Sequence, residues 1–340
     1  MKKRTLLSLM GATALSFGAL ATTALAENPT DLNVAIVLSA GLESPWDGTL
    51  IEAFERTKTE KPHGLDISWT YTDPLWGDDA GDAMRLFAES GEFDIIWAHS
   101  TYSDQVEKMQ AEFPDILFVV VGSGNEGLGG NQYWVYKRVH EPAYAIGVLA
   151  GQMTETNTLG VVGSFPADDV NDEINAFFNG ARSVNPDIIQ KVAFIESWYD
   201  PAKAAEMTSA QIATGADMIF SLAANFQPCE EAEILCFANF ADQHSFSPTT
   251  VLTSVLANWD PDVNYIVDEW WAYKADDTAY DGNTEIVWRG MSEGGAALAP
   301  FYELADKVPA EAKAVFDQTV ADIMSGAFLV ELDVAVPTSD

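Results

Sequence analysis

The hydrophobic residues of this chain cluster in short continuous runs, and amphipathic helical stretches separate one run from the next. The first run, LNVAIVL, has no polar face and is typical of a strand buried on both sides. Single helices between such runs predict βαβ units and parallel sheets. The predicted strands are Leu32–Leu38, Ile67–Tyr71, Asp94–Ala98, Leu117–Val121, Leu159–Val162, Lys191–Ile195, Met218–Phe220, Leu235–Ala238 and Val251–Val255.

The alternation of strand and helix restarts near the middle of the chain, which predicts two similar doubly wound lobes. The first crossover between them is predicted near Tyr133–Glu141. No repeat in sequence accompanies the repeat in architecture. The predicted helices are Thr49–Lys58, Asp79–Glu89, Ser103–Glu112, Pro142–Met153, Asp169–Ser183 and Pro201–Ala213.

The N-terminus has the pattern of a secretory signal peptide, predicted to be residues 1–26. Lys2, Lys3 and Arg4 precede an apolar segment that is short and rich in small residues, and the segment ends in an A-x-A cleavage site. Glu27 follows this site, so no lipid-attachment cysteine is present there. The mature chain is therefore expected to be periplasmic and without a lipid anchor, and an uncleaved N-terminal anchor is the alternative.

The chain is strongly acidic, with 17 basic and 52 acidic side chains and a net charge of -35. Such a surface repels nucleic acid and anionic lipid, because phosphate binding requires Lys and Arg. The acidic residues are scattered, which is typical of solvated faces. Solubility or a saline habitat would each account for them.

Cys229 and Cys236 are the two cysteines of the chain. On an unbroken helix their spacing is about two turns, or roughly 10 Å, which is too long for a disulfide. A bridge therefore requires the chain to turn between them. Both a disulfide and a pair of buried thiols remain open.

Several aromatic side chains are predicted in loops that follow strands. The carboxyl ends of strands in open α/β sheets are where ligands bind, and two facing lobes form a cleft there. Aromatics in such loops could complete the lobe core, or they could clamp a planar ring. Because several occur at successive strand ends, a clamp is favoured for Trp46, Phe165, Trp198, Tyr199, Phe240 and Trp259.

Motifs of catalysis or nucleotide binding are not supported. Gly122–Gly127 matches G-x-G-x-x-G, but Gly129 and Gly130 follow where a dinucleotide site needs a helix, so a surface loop is predicted. His99 lies in a cleft loop, and a hydrogen-bonded structural role is expected for it. Neither an enzyme, a cofactor nor a metal site is predicted.

The chain resembles the basic membrane protein (BMP) family of ABC-transporter substrate-binding proteins, which includes purine nucleoside and nucleobase receptors. The resemblance covers most of the mature chain. It is carried jointly by Gly163–Pro186, Ser197–Ala202, Gly215–Phe220, Leu252–Asp260 and Gly290–Phe301.

The resemblance implies the α/β type I periplasmic-binding-protein fold, with two doubly wound parallel-sheet lobes joined by three crossovers. The N-terminal lobe is then residues 27–137 plus 256–288, and the C-terminal lobe is 138–255 plus 289–340. The implied partners are a small-molecule ligand, most simply a nucleobase, and ABC permease subunits. Nucleic acid is not an expected partner, and a monomer is expected.

The family pattern also assigns candidate ligand contacts. Trp46 and Phe165 resemble the aromatics on the two faces of the ring, and Trp259 resembles an aromatic near the cleft of nucleobase-binding members. The loops and segments that correspond to those of the family add further polar and aromatic candidates for ligand contact: Asp47, Ser100, Tyr102, Trp198, Asn239 and Asp242.

The chain departs from the nucleoside-binding members at the positions expected to reach ribose. An Asp and a Lys of those members correspond here to Asn239 and to Ala257 or Asn258, and the usual Asp after the fourth strand corresponds to Gly122. Loss of a buried hydrogen-bond partner costs about 1–3 kcal/mol. A bare base such as adenine is therefore favoured over a nucleoside. The alternatives are a flavin, a sugar-like or an amide ligand, or a periplasmic sensor subunit.

Overall fold

The structure is a computed structural model that describes residues 28–340. The predicted signal peptide, residues 1–26, lies outside the described residues. The described chain forms two sheets from these strands: β1 (Asp31–Val37), β2 (Asp66–Tyr71), β3 (Ile95–Ala98), β4 (Leu117–Val121), β5 (Gln132–Lys137), β6 (Thr158–Gly163), β7 (Ile189–Phe194), β8 (Met218–Ser221), β9 (Leu235–Ala238), β10 (Val251–Ala257), β11 (Val287–Arg289) and β12 (Ala296–Leu298).

The strand order is β11-β5-β4-β3-β1-β2 in one sheet and β12-β10-β9-β8-β6-β7 in the other. Every pairing is parallel except that of β10 with β12 at one edge. The helices are α1 (Pro45–Glu60), α2 (Gly77–Ser90), α3 (Ser103–Glu107), α4 (His140–Met153), α5 (Asp168–Val184), α6 (Pro201–Ala213), α7 (Gln227–Glu231), α8 (Asp260–Ala275) and α9 (Ala310–Met324).

The chain crosses between the sheets after β5, after β10 and after β11. We call the part built on the sheet of β1 the first lobe and the part built on the sheet of β6 the second lobe. Two doubly wound lobes joined by three crossovers confirm the predicted fold class. β10 continues to Ala257 and β11 to Arg289, slightly past the predicted lobe limits, which stay a prediction.

The central strands bury Val, Ile and Leu from both faces, as the continuous apolar runs predict, whereas the edge strands β2 and β7 are partly exposed. All five residues of β4 and all four of β3 are buried. The pattern did not predict β5, α8 or α9 as elements, although α8 packs on α1 in the first lobe and α9 packs on α4 in the second. No helix of residues 28–340 is both long and apolar enough to cross a bilayer.

Helices α4 and α5 pack with their backbones almost touching. A Cβ at Gly147 would collide with the carbonyl of Phe177, and one at Gly180 would collide with that of Tyr144. The absence of side chains at these two positions allows the close approach. The rigid pair presents the first turn of α5 towards the first lobe.

A disulfide joins Cys229 of α7 to Cys236 of β9, with 6.5 Å between the Cα atoms. The helix ends at Glu231, and the chain reverses through Glu233, whose φ is 58°. This is the turn that a bridge across seven residues requires. The structure therefore resolves the alternative that the sequence leaves open.

Candidate functional site

A cavity of about 300 Å³ lies between the lobes, at the carboxyl ends of strands from both sheets. The first lobe supplies the loops after β1, β3 and β4, and the second supplies the first turn of α5 and the loops after β7, β8 and β9. This is the sheet edge at which open α/β folds bind ligands. The side chains that line it include Ser39, Trp46, Ser100, Ser123, Tyr136, Asp168, Asp169, Trp198, Tyr199, Leu222 and Phe240.

Trp46, at the start of α1, is held against His99 by a stack and two hydrogen bonds. The two ring centroids are 4.8 Å apart with 23° between the planes. Trp46 Nε1 donates to the His99 carbonyl at 3.1 Å, and His99 Nε2 faces the Trp46 carbonyl at 3.2 Å. Trp97 Nε1 donates to His99 Nδ1 at 3.1 Å, so the ring proton lies on Nε2. His99 therefore positions Trp46, as a structural histidine.

Burial lowers the pKa of His99 to about 3, so the ring is neutral at physiological pH. A neutral imidazole is required by the hydrogen-bond pattern, because Nδ1 accepts and cannot also carry a proton. The side chain is fully buried and does not line the cavity. Its expected role as a hydrogen-bonded structural residue is confirmed.

Phe240 brings an aromatic ring of the second lobe against Trp46. The centroids lie 5.0 Å apart with 59° between the planes, and Phe240 adopts a positive φ of 65°. Two rings that clamp a third between them must lie about 7 Å apart, which is twice the contact distance of carbon atoms. Trp46 and Phe240 are closer than that. Phe240 and Trp46 therefore form one continuous wall of the cavity in this conformation.

Trp259 supports that wall from behind. It is fully buried, packs edge-on against Trp46 at 5.0 Å and belongs to the core of the first lobe. It does not line the cavity. The structure thus places Trp259 beneath the predicted clamp residue and outside direct reach of the cavity.

Trp198 and Phe165 form the aromatic side of the second lobe. Trp198 lines the cavity, and Phe165 packs edge-on against it at 5.0 Å without lining the cavity itself. Across the cleft, Trp76 of the first lobe stacks on Trp198 at 5.9 Å with 14° between the planes. Phe165, which the family resemblance predicts on the second face of the bound ring, therefore packs against Trp198. Trp198 and Tyr199 line the cavity instead.

The Asp47 carboxylate does not reach the cavity, because it closes the loop after β1. Oδ2 accepts the backbone N–H groups of Ala40 at 2.7 Å and Gly41 at 2.6 Å. The side chain is fully buried, and burial raises its pKa to about 6 while these hydrogen bonds act in the opposite direction. In the first turn of α1, Asp47 points back over the preceding loop and shapes the loop that carries Trp46.

Of the remaining polar candidates, only Ser100 lines the cavity. Tyr102 is buried, and its hydroxyl donates to the Leu75 carbonyl at 2.7 Å. Asn239 is buried as well and donates to Glu173 Oε2 at 3.0 Å. Asp242 accepts hydrogen bonds from the Tyr302 hydroxyl and from the backbone of His244, away from the cavity.

The charged groups that line the cavity, within residues 28–340, are the two carboxylates of Asp168 and Asp169 at the start of α5. No Lys, Arg or His lines it in that part of the chain. Asp169 Oδ2 accepts the N–H of Ser123 at 3.2 Å, and the N–H of Asp169 donates to Ser123 Oγ at 3.3 Å. These two hydrogen bonds join the lobes. Asp169, Ser123 and Tyr136 were not among the contacts predicted from the sequence.

A buried ionic triad ties the three crossovers together. Asp262 of α8 forms ion pairs with Lys137, the last residue of β5, and with Arg289, the last residue of β11, whose Nε lies 3.0 Å from Asp262 Oδ1. Lys137 and Asp262 are fully buried. The Lys137 ammonium also lies 4.5 Å from the Trp259 ring. The hinge side of the cleft is thus connected through Trp259 to Trp46.

Two further carboxyl groups lie beneath the cavity on the buried face of α5. Burial raises the pKa of Glu173 to about 8 and that of Asp172 well above its usual range, and nearby carboxylates act in the same direction. Asp172 Oδ2 lies 3.6 Å from His140 Nδ1, and burial lowers the pKa of His140 to about 4. Glu173 is therefore protonated at neutral pH.

Two lobes of this topology around a ligand-sized cavity define a solute-binding protein of the type I periplasmic-binding fold. The chain belongs to the Bmp family of PnrA-like ABC transporter substrate-binding proteins, whose family model matches residues 33–322. It is therefore a solute-binding receptor of the ABC-transporter class. Receptors of this class bind small molecules, work with ABC permeases and normally act outside the cytoplasm.

The chain is similar to a purine-binding protein of Brucella abortus, with 33% identity over 255 residues, 74% of this chain and 69% of that protein. It is similar in fold to ABC-transporter solute-binding proteins of known structure. One from Aeropyrum pernix has a TM-score of 0.73 and 16% identity over 89% of this chain and 94% of its own. One from Conexibacter woesei has a TM-score of 0.69 and 18% identity over 88% of this chain and 99% of its own.

Proposed function

We propose that this receptor captures a planar, uncharged heterocycle in the interlobe cavity, and that the ligand is a purine base such as adenine. The observation that carries the proposal is the cavity wall. Aromatic rings from both lobes, Trp46, Tyr136, Trp198, Tyr199 and Phe240, surround a small space in which serine hydroxyls are the main polar groups. Flat faces gain from contact with such rings, and hydroxyls can donate to or accept from a ring edge.

The charge of the wall supports an uncharged ligand. The lining side chains of the described region include two carboxylates and no cationic group. A phosphate would meet Asp168 and Asp169 without a compensating Lys or Arg, and burial of an unpaired charge is costly. Nucleotides are therefore expected to be excluded.

Two observations favour a base over a nucleoside: the small size of the cavity, and the contacts of the residues at the positions expected to bind ribose. A volume of about 300 Å³ is at the small end of ligand sites. Asn239 faces Glu173, Asn258 donates to the Gly294 carbonyl at 2.9 Å, and Ala257 offers no polar group. None of the three lines the cavity, so they provide no partner for sugar hydroxyls.

The resemblance of most of the chain to the Brucella purine-binding protein supports the same class of ligand. In the proposed cycle the mature receptor acts as a periplasmic monomer and delivers the base to ABC permease subunits. Closure is favoured only by the difference in affinity between the open and closed forms. We propose Trp46, Ser100, Trp198, Tyr199 and Phe240, all of which line the cavity, as its contacts with the base.

Thermal melting of unfolded and refolded mature protein against a ligand panel tests the proposal, because refolding removes carried-over ligand. The panel contains adenine, adenosine, AMP, riboflavin and glucose. A ligand at about 100 times its Kd stabilises the folded state by roughly 2.7 kcal/mol, which raises the Tm visibly. We expect a shift with adenine and none with AMP.

Each other outcome has a distinct meaning. An equal shift with adenosine would show that ribose is accepted, which contradicts the preference for a base. A shift only with riboflavin or glucose would move the ligand to another chemical class. No shift with any purine would overturn the proposed ligand while leaving the family and fold intact.

A further inference from the structure

The carboxylate of Asp169 has one oxygen in use and one without a partner. Oδ2 accepts the Ser123 N–H from the opposite lobe at 3.2 Å. Oδ1 is buried and has no hydrogen-bond partner among residues 28–340. Asp169 lines the cavity, so its carboxylate lies at the wall of the ligand space, with Oδ1 just beneath the accessible surface. Buried polar atoms in native proteins are nearly always paired, and an orphaned acceptor in a binding cavity indicates a donor that belongs to the ligand.

The position of Asp169 depends on the missing side chain at Gly122. Gly122 has a φ of +84°, and a Cβ placed on it would lie 3.1 Å from Asp169 Oδ2. The carboxylate of the second lobe therefore occupies the space above the bare backbone of the first lobe. A side chain at residue 122 would displace it.

We propose that Asp169 is the specificity-determining group of the cavity, and that its free oxygen reads an N–H donor on the edge of the bound heterocycle. This inference rests on the proposed function and deepens it. The ligand class is narrowed to flat bases that present a ring N–H or an amine towards the start of α5. Oδ2 of the same carboxylate accepts the N–H of Ser123 in the first lobe. A ligand bound to Oδ1 is therefore linked to both lobes through Asp169, and this linkage favours the closed form.

Asp79 provides the matched comparison. It lies in the first turn of α2, as Asp169 lies in the first turn of α5, but it is exposed and does not line the cavity. Any effect of removing a negative charge from a helix start is therefore shared by both residues. The pairing of Oδ2 with Ser123 and the orphaned Oδ1 are specific to Asp169.

The test measures the calorimetric Kd of adenine for refolded wild type, Asp169→Asn and Asp79→Asn. The amide at 169 replaces one of the two acceptor oxygens by an NH2 donor, so either the Ser123 N–H or the ligand N–H loses its acceptor. We expect at least tenfold weaker binding for Asp169→Asn and less than threefold for Asp79→Asn. Asp169→Ser, which removes the carboxylate altogether, replaces the amide variant if that variant does not fold.

Binding by wild type with a loss of less than threefold in the Asp169 variants would overturn this inference and leave the proposed function standing. Equal losses in the Asp79 and Asp169 variants would assign the effect to helix-end charge and would also overturn it. Absence of adenine binding to wild type would overturn the proposed function, and this inference with it.

Discussion

Trp46 and His99 fix each other in the first lobe by a stacked contact of 4.8 Å and by hydrogen bonds between each ring and the backbone of its partner. Only Trp46 reaches the cavity. The histidine thus determines the orientation of an aromatic wall without touching the space in which a ligand would lie. Two substitutions separate these roles.

Replacement of Trp46 by Ala should weaken adenine binding at least tenfold while the chain remains folded, because a large aromatic face leaves the cavity wall. Calorimetric titration and thermal melting of the same samples provide the two readouts. Trp271→Ala is the control, since that ring stacks on His63 in the same lobe and does not line the cavity. Unchanged affinity in Trp46→Ala would remove Trp46 from the site.

Replacement of His99 by Ala should also weaken adenine binding, by about three- to tenfold. The side chain that holds Trp46 is lost, and the tryptophan becomes free to adopt other rotamers. The double variant Trp46→Ala/His99→Ala should bind no more weakly than Trp46→Ala alone. Additive losses would show that His99 affects the ligand by a route other than Trp46.

The triad at the crossovers should be required for stability. Asp262→Asn leaves the buried Lys137 without its counter-charge, so the free energy of unfolding should fall by about 3–5 kcal/mol. Guanidinium unfolding measures this change. Asp317→Asn, which breaks an exposed pair with Lys313, should cost at most about 1 kcal/mol. Equal losses in the two variants would exclude a special role for the buried triad.

Glu173 should make the protein less stable as the pH rises from about 6.5 to 8. Its pKa is about 8 in the folded chain and 4.5 as a free side chain, so the folded form holds a proton that the unfolded form has released. This contribution is complete below about pH 4.5 and is lost as the pH rises through 8. Asp172 has a raised pKa and acts in the same direction.

His99 and His140 have lowered pKa values, so their stabilising contribution grows as the pH rises and is complete only above the ordinary value of 6.5. Because both histidines are present in wild type and in Glu173→Gln, the difference between the two pH profiles isolates Glu173. In Glu173→Gln the loss of unfolding free energy between pH 6.5 and 8 should shrink by about 1–2 kcal/mol. Glu55→Gln, on an exposed face of α1, is the control. Parallel pH profiles for wild type and Glu173→Gln would contradict the assignment.

The Cys229–Cys236 disulfide should stabilise the second lobe without affecting the cavity. The bridge closes a short loop, for which chain entropy predicts about 2–3 kcal/mol. Guanidinium unfolding of Cys229→Ala/Cys236→Ala should show this loss, with adenine affinity changed less than threefold. A large loss of affinity in the folded double variant would link α7 to the binding site.

The strands and the sheet edge that carries the site could be predicted, because apolar runs and the loops after them are properties of local sequence. Trp46 and Ser100 line the cavity for this reason. The direction in which a side chain in a turn points also depends on the surrounding tertiary contacts, which local sequence does not determine. Asp47 turns back over its own loop, and Phe165 packs on Trp198, so neither lines the cavity.

Contacts between distant segments could not be predicted from the chain. Lys137, Asp262 and Arg289 meet only because three crossovers pass side by side. Asp169 and Asp168 are adjacent acids in sequence, and only the packing of α4 on α5 and the bare backbone at Gly122 bring one of them to Ser123. Such relationships depend on how the lobes close and not on residue type.

The decisive experiment is a crystal structure of the refolded protein grown with adenine. We expect electron density for a flat ring in the interlobe cavity, in contact with Trp46 and within hydrogen-bond distance of Asp169 Oδ1. A base bound elsewhere on the protein, or a closed cleft without ligand under saturating adenine, would contradict it.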